Sequence, residues 1–472
     1  GAGIVNAAIF QDPTLGIYDN KGLYAQSNVV NLENPLSLAH GVADYAATTR
    51  TFGNVFLEYF IIPDLSVKIN AGADLQSSRR DTYNSRNTKK GASANGIASV
   101  QASNAQNTLL ELTARFDNHS VEVLGGYTWQ NFDWNTLNSG AQNFTTDAFG
   151  TDNLAAGSSS TFTINTYKSR SQLKSFLGRI NYTFNDKYLL TANFRADGSS
   201  RFGADNKYGY FPSLALGWHI NREDFFKNVH ALSALKLRAS YGSTGNQEIG
   251  NYRSLVLLGT QGQAVFGNAA EVGISTTQLA NPDLKWETTR QFDAGIDFGL
   301  LEDRITGSID YFNKNTRDLL LELPVPTTTG FATTLTNIGS MNNRGFEFTV
   351  NTINLRGKFN WTTSVNLSTV KNKVTGIGGL PNIQQGSAGF FNNFSILQVG
   401  LPLNSFYGYQ VVGILQKGEQ YTPQPLSAPG DLKFLDANND KTINPSDRTI
   451  LGSPFPDFTY GINNSLGYGR FD

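Results

Sequence analysis

From Phe176 to Phe194 the chain reads FLGRINYTFNDKYLLTANF. Phe176, Ile180, Tyr182 and Phe184 fall on even positions before an Asn185-Asp186-Lys187 turn, and Tyr188, Leu190, Ala192 and Phe194 fall on even positions after it. Arg179, Asn181, Thr183, Thr191, Asn193 and Arg195 fill odd positions. Successive side chains of a strand point to opposite faces, so this hairpin has one aromatic face and one polar face. The same period returns at Val55–Ile61, Leu65–Ala73, Leu235–Tyr241, Phe292–Phe298, Phe346–Val350 and Tyr460–Leu466. Roughly 13 such segments, most of about 10 to 14 residues, predict an all-β antiparallel architecture.

The connections predict which ends of the strands meet. Short turns at 62–64, 117–119, 185–187, 301–303 and 352–357 alternate with long polar stretches at 77–106, 132–171, 243–284, 314–342 and 371–454. Antiparallel strands send alternate connections to opposite ends, so one end is trimmed and the other elaborated. Outer-membrane barrels have this asymmetry, with short periplasmic turns and long extracellular loops. A soluble sandwich with its apolar face inward produces the same alternation. Three features favour the membrane: the strands are long, the polar faces are dense in Asn, Ser, Thr and Arg, and Tyr210, Trp218, Trp286 and Trp361 lie near strand ends, where interfacial girdles sit. Arg290 falls on the apolar phase of its strand, which requires an interface position or a register break.

Composition narrows the function classes. A formal net charge of −1 gives no general attraction to nucleic acid. Cysteine is absent, so neither disulfides nor thiolate metal sites are available. There is no run of about 18 apolar residues to form a transmembrane helix, which says nothing against strands. His40, His119, His219 and His230 have no metal-ligand spacing, and no phosphate loop, nucleophile elbow or catalytic carboxylate pair is evident, so no enzyme is expected.

The opening stretch through DGSSRFG, then KYGYFPSLALGWHINREDFF (207–226), LKLRASYGSTGNQEIGNY (235–252), NPDLKWETTRQFDAGIDFGLLEDRITGSIDYFNKNTRDLLL (281–321), TNIGSMNNRGFEFTV (336–350) and the segment from Gly430 to Asp472, resembles the SusC/RagA family of TonB-dependent outer-membrane transporters. The resemblance covers nearly everything from about residue 34 onward, in order. It implies a transmembrane β-barrel of the family's 22 strands, here a partial barrel over residues 1–472. The N-terminal plug, the TonB-contacting segment, the first strands and the last strands are expected outside this chain. An open sheet edge in lipid would leave backbone groups unsatisfied, which also points to a piece of a larger polypeptide. The implied setting is the outer membrane of a Gram-negative bacterium. The implied activity is import of bulky oligosaccharides or peptides, with a SusD-like surface lipoprotein as lid and TonB as the energy source. A passive porin or surface adhesin on the same barrel, or a soluble β-rich carbohydrate-binding protein, are the alternatives.

Several positions are candidates for binding. DANNDKTINPSD places Asp436, Asn438, Asp440, Thr442 (through its carbonyl) and Asp447 at positions 1, 3, 5, 7 and 12 of a calcium loop, inside the long extracellular loop expected at 371–454. Lys441 stands where the EF-hand has Gly, and Asp447 where it has Glu. An Asx-rich surface loop bonding its own backbone has the same composition. No cofactor is required, and Ca2+ is the ion this loop would take. Arg201 and Gln247, in DGSSRFG and SYGSTGNQ, either shape turns or line the mouth and touch cargo. Phe132, Trp134, Phe390 and Phe391, in stretches expected to be loops, either stack on sugar rings or pack the loops together.

Overall fold

The computed structural model describes residues 3–471 apart from Val30, Asn31, His119, Lys227, Asn228, His230, Gln261, Gly262, Asn268, Gly389 and Phe390. Thirteen long strands form one antiparallel sheet, paired in sequence order. They are β1 (Val42–Ile62), β2 (Leu65–Asn84), β3 (Ile97–Asn118), β4 (Val121–Gln142), β5 (Thr163–Phe184), β6 (Tyr188–Ser199), β7 (Tyr208–His219), β8 (Leu232–Asn246), β9 (Glu287–Leu300), β10 (Ile305–Pro324), β11 (Thr333–Leu355), β12 (Phe359–Ile377) and β13 (Thr459–Tyr468).

The strand count agrees with the sequence pattern, and the lengths do not. β11 has 23 residues and β3, β4 and β5 have 22 each, well beyond the expected 10 to 14. Pairing runs on into polar stretches that had the look of loops. The stretch 314–342 keeps only residues 325–332 outside strands, and the connection between β6 and β7 is short although it lies at the long-loop end. The turn at 185–187 is as expected: Asn185 and Asp186 take φ of 50° and 55°, the left-handed region that Asn and Asp tolerate best.

The chain divides into two compact units. The first comprises Gly1–Tyr59, Lys68–Leu112 and Thr128–Lys174. It includes the helices α1 (Ile4–Phe10) and α2 (Pro35–Gly41), the latter capped by Asn34, whose side chain accepts from Leu36 N at 2.9 Å. Between its strands, Tyr83, Ala98, Ala141 and Phe144 form a small buried cluster beneath the loops.

The second unit comprises Phe60–Val67, Thr113–Tyr127 and Ser175–Asp472. Its register assigns the faces directly. Tyr188, Trp218, Leu237, Ile296, Ile309, Phe348, Leu367 and Tyr460 stand opposite one another across the eight strands β6 to β13. Large side chains on this face stay exposed: Tyr210 at 63%, Leu216 at 54% and Tyr460 at 69%. They are not a dry core. One residue along, the row runs Gly217, Arg238, Gly295, Asp310, Glu347, Ser368 and Thr459. Cross-strand hydrogen bonds knit this polar face, among them Arg179 Nε to Asn193 Oδ1 (2.7 Å) and Asn193 Nδ2 to Ser213 Oγ (3.1 Å).

Beyond β12 the long loop carries structure of its own. Ile383–Ala388, Phe391–Leu397, Ser405–Tyr409 and Arg448–Gly452 make a four-stranded sheet, and Val411–Ile414 pairs with Leu432–Phe434. Ile396 and Leu397 are buried in it. Trp286 is a correction: it is no girdle residue but is buried between Phe202 and Phe211, with ring centroids at 5.2 and 5.4 Å, and donates its Nε1 proton to Lys207 O at 2.8 Å. Arg290 is exposed and its ladder is continuous on both sides, which removes the register break and leaves a boundary position near the start of β9.

Candidate functional site

The polar face has one strong electrostatic feature. The Arg238 guanidinium reaches Asp297 Oδ1 at 3.0 Å from Nη2 and Asp310 Oδ1 at 2.6 Å from Nη1. Its room comes from Gly295 directly opposite, where an added Cβ would collide with Asp310 Oδ1 and come within 2.8 Å of Arg238 Cζ. Similar pairs, Arg195–Asp197 and, in the first unit, Arg50–Asp74 and Arg80–Asp44, line the same kind of face. Sequence reasoning identified the polar rows but not these pairs, because partners such as Arg238 and Asp310 lie 72 residues apart and only register brings them together.

The acidic loop is compact. Carboxylate oxygens of Asp436, Asp440 and Asp447 converge within 4.8 Å of one another. Backbone amides orient them: Asp440 N and Lys441 N donate to Asp436 at 3.1 and 2.8 Å, Thr442 N donates to Asp440 Oδ1 at 2.8 Å, and Ala437 N and Asn444 N donate to Asp447 at 2.9 and 2.8 Å. Asn438 bonds Asp440 Oδ2 at 2.9 Å, and with the Thr442 amide this holds the Asp440 carboxyl below its ordinary value. Lys441 takes φ of 66°, the left-handed conformation for which an EF-hand uses Gly. The Thr442 carbonyl accepts from Asn444 Nδ2 at 3.1 Å. The donor set is all oxygen and suits a hard divalent cation. Every one of these contacts also describes a self-bonded Asx loop.

The remaining candidates fall in three places. Arg201 and Gln247 are brought together, but as a latch: Arg201 Nη1 donates to the Gln247 carbonyl at 3.0 Å and Nε to Asn251 Oδ1 at 3.0 Å. The Arg201 side chain is largely covered, which favours the turn-shaping role. Phe132 and Trp134 lie on β4 and not in a loop, which corrects the expectation. Their neighbours Asn131 and Asp133 face Gln172 and Arg170, so the two aromatics point to the opposite side, where Trp134 packs edge-on against Tyr167 at 5.8 Å. Phe391 opens a strand of the loop sheet and pairs with Ala388, and Phe390 lies outside the described residues.

Comparison with known proteins agrees with this geometry. The sequence model of the family "TonB dependent receptor-like, beta-barrel" matches residues 6–468. TonB-dependent receptor P3 of Formosa agariphila is 34% identical over all of this chain and 48% of its own length. TonB-dependent receptor SusC of Bacteroides thetaiotaomicron is 31% identical over 99% of this chain and 49% of its own. The chain thus spans about half the length of these curated relatives. Among solved structures, that of the RagAB peptide transporter superposes with a TM-score of 0.79 over 96% of this chain and 50% of that one, at 24% identity, a likeness of fold.

Proposed function

The chain belongs to the TonB-dependent receptor β-barrel family, SusC/RagA type, and from that premise we propose that the whole protein imports a bulky nutrient across the outer membrane of a Gram-negative bacterium. The observation that carries this reading is the single-residue offset between the two faces: an apolar row across eight strands, exposed at Tyr188, Ile296, Ile309 and Tyr460 and half-buried between them, beside a hydrogen-bonded polar row. Such a sheet suits hydrocarbon on one side and water on the other. The cargo is an oligosaccharide or a peptide, the latter being the cargo class of the RagAB transporter. A SusD-like surface lipoprotein covers the long-loop end, and TonB acts through a region outside this chain. Deletion of the gene should abolish growth on the cognate polymer while growth on its monomer persists. Unchanged growth on every polymeric glycan and peptide source would remove the importer reading.

For Asp436–Asp447 we propose a Ca2+ site that stiffens the long loop, supported by the convergence of its three carboxylates. Chelation should speed protease cutting within 430–450, and added Ca2+ should restore protection. Cutting that ignores both additions would leave a self-bonded turn.

A further inference from the structure

The face that carries the apolar rows changes character toward the long-loop end of β9 to β12. In register, Phe292 stands opposite Asn313, Asn313 opposite Arg344, and Arg344 opposite Lys371. Two residues further along, Arg290 stands opposite Asn315, Asn315 opposite Asn342, and Asn342 opposite Lys373. Arg317 follows on the same phase of β10. The shared face is confirmed by contact, because Asn342 Nδ2 donates to both Asn313 Oδ1 and Asn315 Oδ1, at 2.6 and 2.8 Å.

Arg290, Arg317, Arg344, Lys371 and Lys373 are all exposed, and among the described residues none of their side chains makes an ion pair or hydrogen bond. These rows contain no carboxylate, and the nearby Asp318 is taken by Lys285 at 3.1 Å. Like charges directly opposite, as at Arg344 and Lys371, destabilise a sheet unless an anion sits between them. The row immediately below runs Leu190, Leu216, Ala239, Ala294, Tyr311 and Phe346. The small Ala239 and Ala294 floor a hollow of about 760 Å³ walled by Trp218, Leu237, Ile296, Tyr311 and Phe346. From Ile305, the first apolar residue of this face on β10, to Asn313 is eight residues along the strand. That is about 27 Å along the strand, or about 20 Å once tilted, close to the height of a barrel's apolar band.

We propose that this cationic cluster seats the phosphorylated headgroup of an outer-leaflet glycolipid, with an acyl chain lying in the hollow beneath it. The occupant follows from the juxtaposition. Unpaired Arg and Lys at the boundary of a hydrocarbon band recognise phosphate, the asparagines offer amide groups to sugar hydroxyls, and the hollow continues the site into the apolar layer. The assignment rests on the family-based reading that these rows face lipid and that the long loops are extracellular.

The test uses the intact protein, purified in detergent, delipidated and offered a bisphosphorylated glycolipid or its dephosphorylated form, with retained lipid read by native mass spectrometry. Wild type should retain the phosphorylated form preferentially, and the Arg344→Gln/Lys371→Gln/Lys373→Gln variant should lose about tenfold or more of that retention. The Arg356→Gln/Lys358→Gln variant, in the short turn at the other end, should match wild type. Retention by wild type should also fall steeply with salt, a readout independent of any variant's folding. Equal retention of the two lipid forms, a flat salt response, or loss of a protein partner with lipid retention unchanged would overturn the proposal. Escape of the intact protein from the membrane fraction would overturn it together with the barrel reading, whereas unchanged retention by a membrane-bound triple variant overturns the lipid site alone.

Discussion

Leu237 and Arg238 are chain neighbours with opposite surroundings. Leu237 stands in the apolar row with Trp218 and Ile296, whereas Arg238 lies between two glycines and bridges Asp297 and Asp310. The two faces teach that hydrophobicity here is organised by pleat and not by depth. Tyr210, Leu216 and Tyr460 on the apolar face are exposed, whereas on the polar side Phe312 is buried and Gly345 is closely packed, its added Cβ colliding with the Thr369 carbonyl. A soluble sandwich has the reverse arrangement.

The largest test of that contrast places the same residue on both faces. Leu367 and Ser368 are adjacent on β12, opposite Phe348 and Glu347 respectively. In lipid, Leu367→Arg should cost about 2 to 4 kcal/mol, the expense of a guanidinium at the middle of the apolar band, and Ser368→Arg should stay within about 1 kcal/mol. Urea unfolding midpoints in lipid vesicles measure both. Equal costs would mean that the two faces see the same solvent.

A smaller effect is expected from crowding the polar face. Gly295→Ala pushes a methyl group into the space of the Arg238–Asp310 pair, so the long side chain must swing away. The loss should be about 1 to 2 kcal/mol. The Arg238→Met/Gly295→Ala double variant should lose less than the sum of the two single changes, because they act on one interaction. Strict additivity would separate the glycine from the ion pair.

How much of this was legible beforehand differs by feature. The hairpin at 185–187 was readable because Asn and Asp signal the left-handed turn and each flank keeps an apolar phase. Strand ends were not, because β3 and β11 run through stretches such as IASVQASNAQ and TTLTNIGSMNN, where both faces are polar or small and period two disappears. Trp286 has the sequence setting of a girdle residue, and it is buried by distant contacts that include Phe202, 84 positions earlier, and Phe211. Of the five boundary cations only Arg290 was visible as an anomaly, since the others reach its neighbourhood through registers across three loops or turns. The convergence of Asp436, Asp440 and Asp447 was the most readable contact, because the three lie within twelve residues of one another.

The smallest expected effect lies where the two faces stop differing. Tyr188 and Trp218 belong to the apolar row, yet at the short-turn end their polar tips both reach Glu223, Tyr188 OH at 2.7 Å and Trp218 Nε1 at 3.0 Å. Lys187 Nζ completes the set at 2.9 Å. The Lys187 ammonium first, then the two ring donors, pull the Glu223 carboxyl down to about 2 from its ordinary 4.5. A carboxyl with a depressed folded pKa contributes stability that is fully present above its unfolded value and is lost as pH falls through the folded one. The wild-type thermal midpoint should therefore carry an acid-sensitive component between about pH 4.5 and pH 2 that Glu223→Gln lacks, with the two proteins converging at the acid end. Both partners of the Lys187–Glu223 pair keep part of their side chains in water, so the difference should be small and shrink with salt. Parallel curves for the two proteins across that window would show that the ring donors hold the belt without the carboxylate's charge.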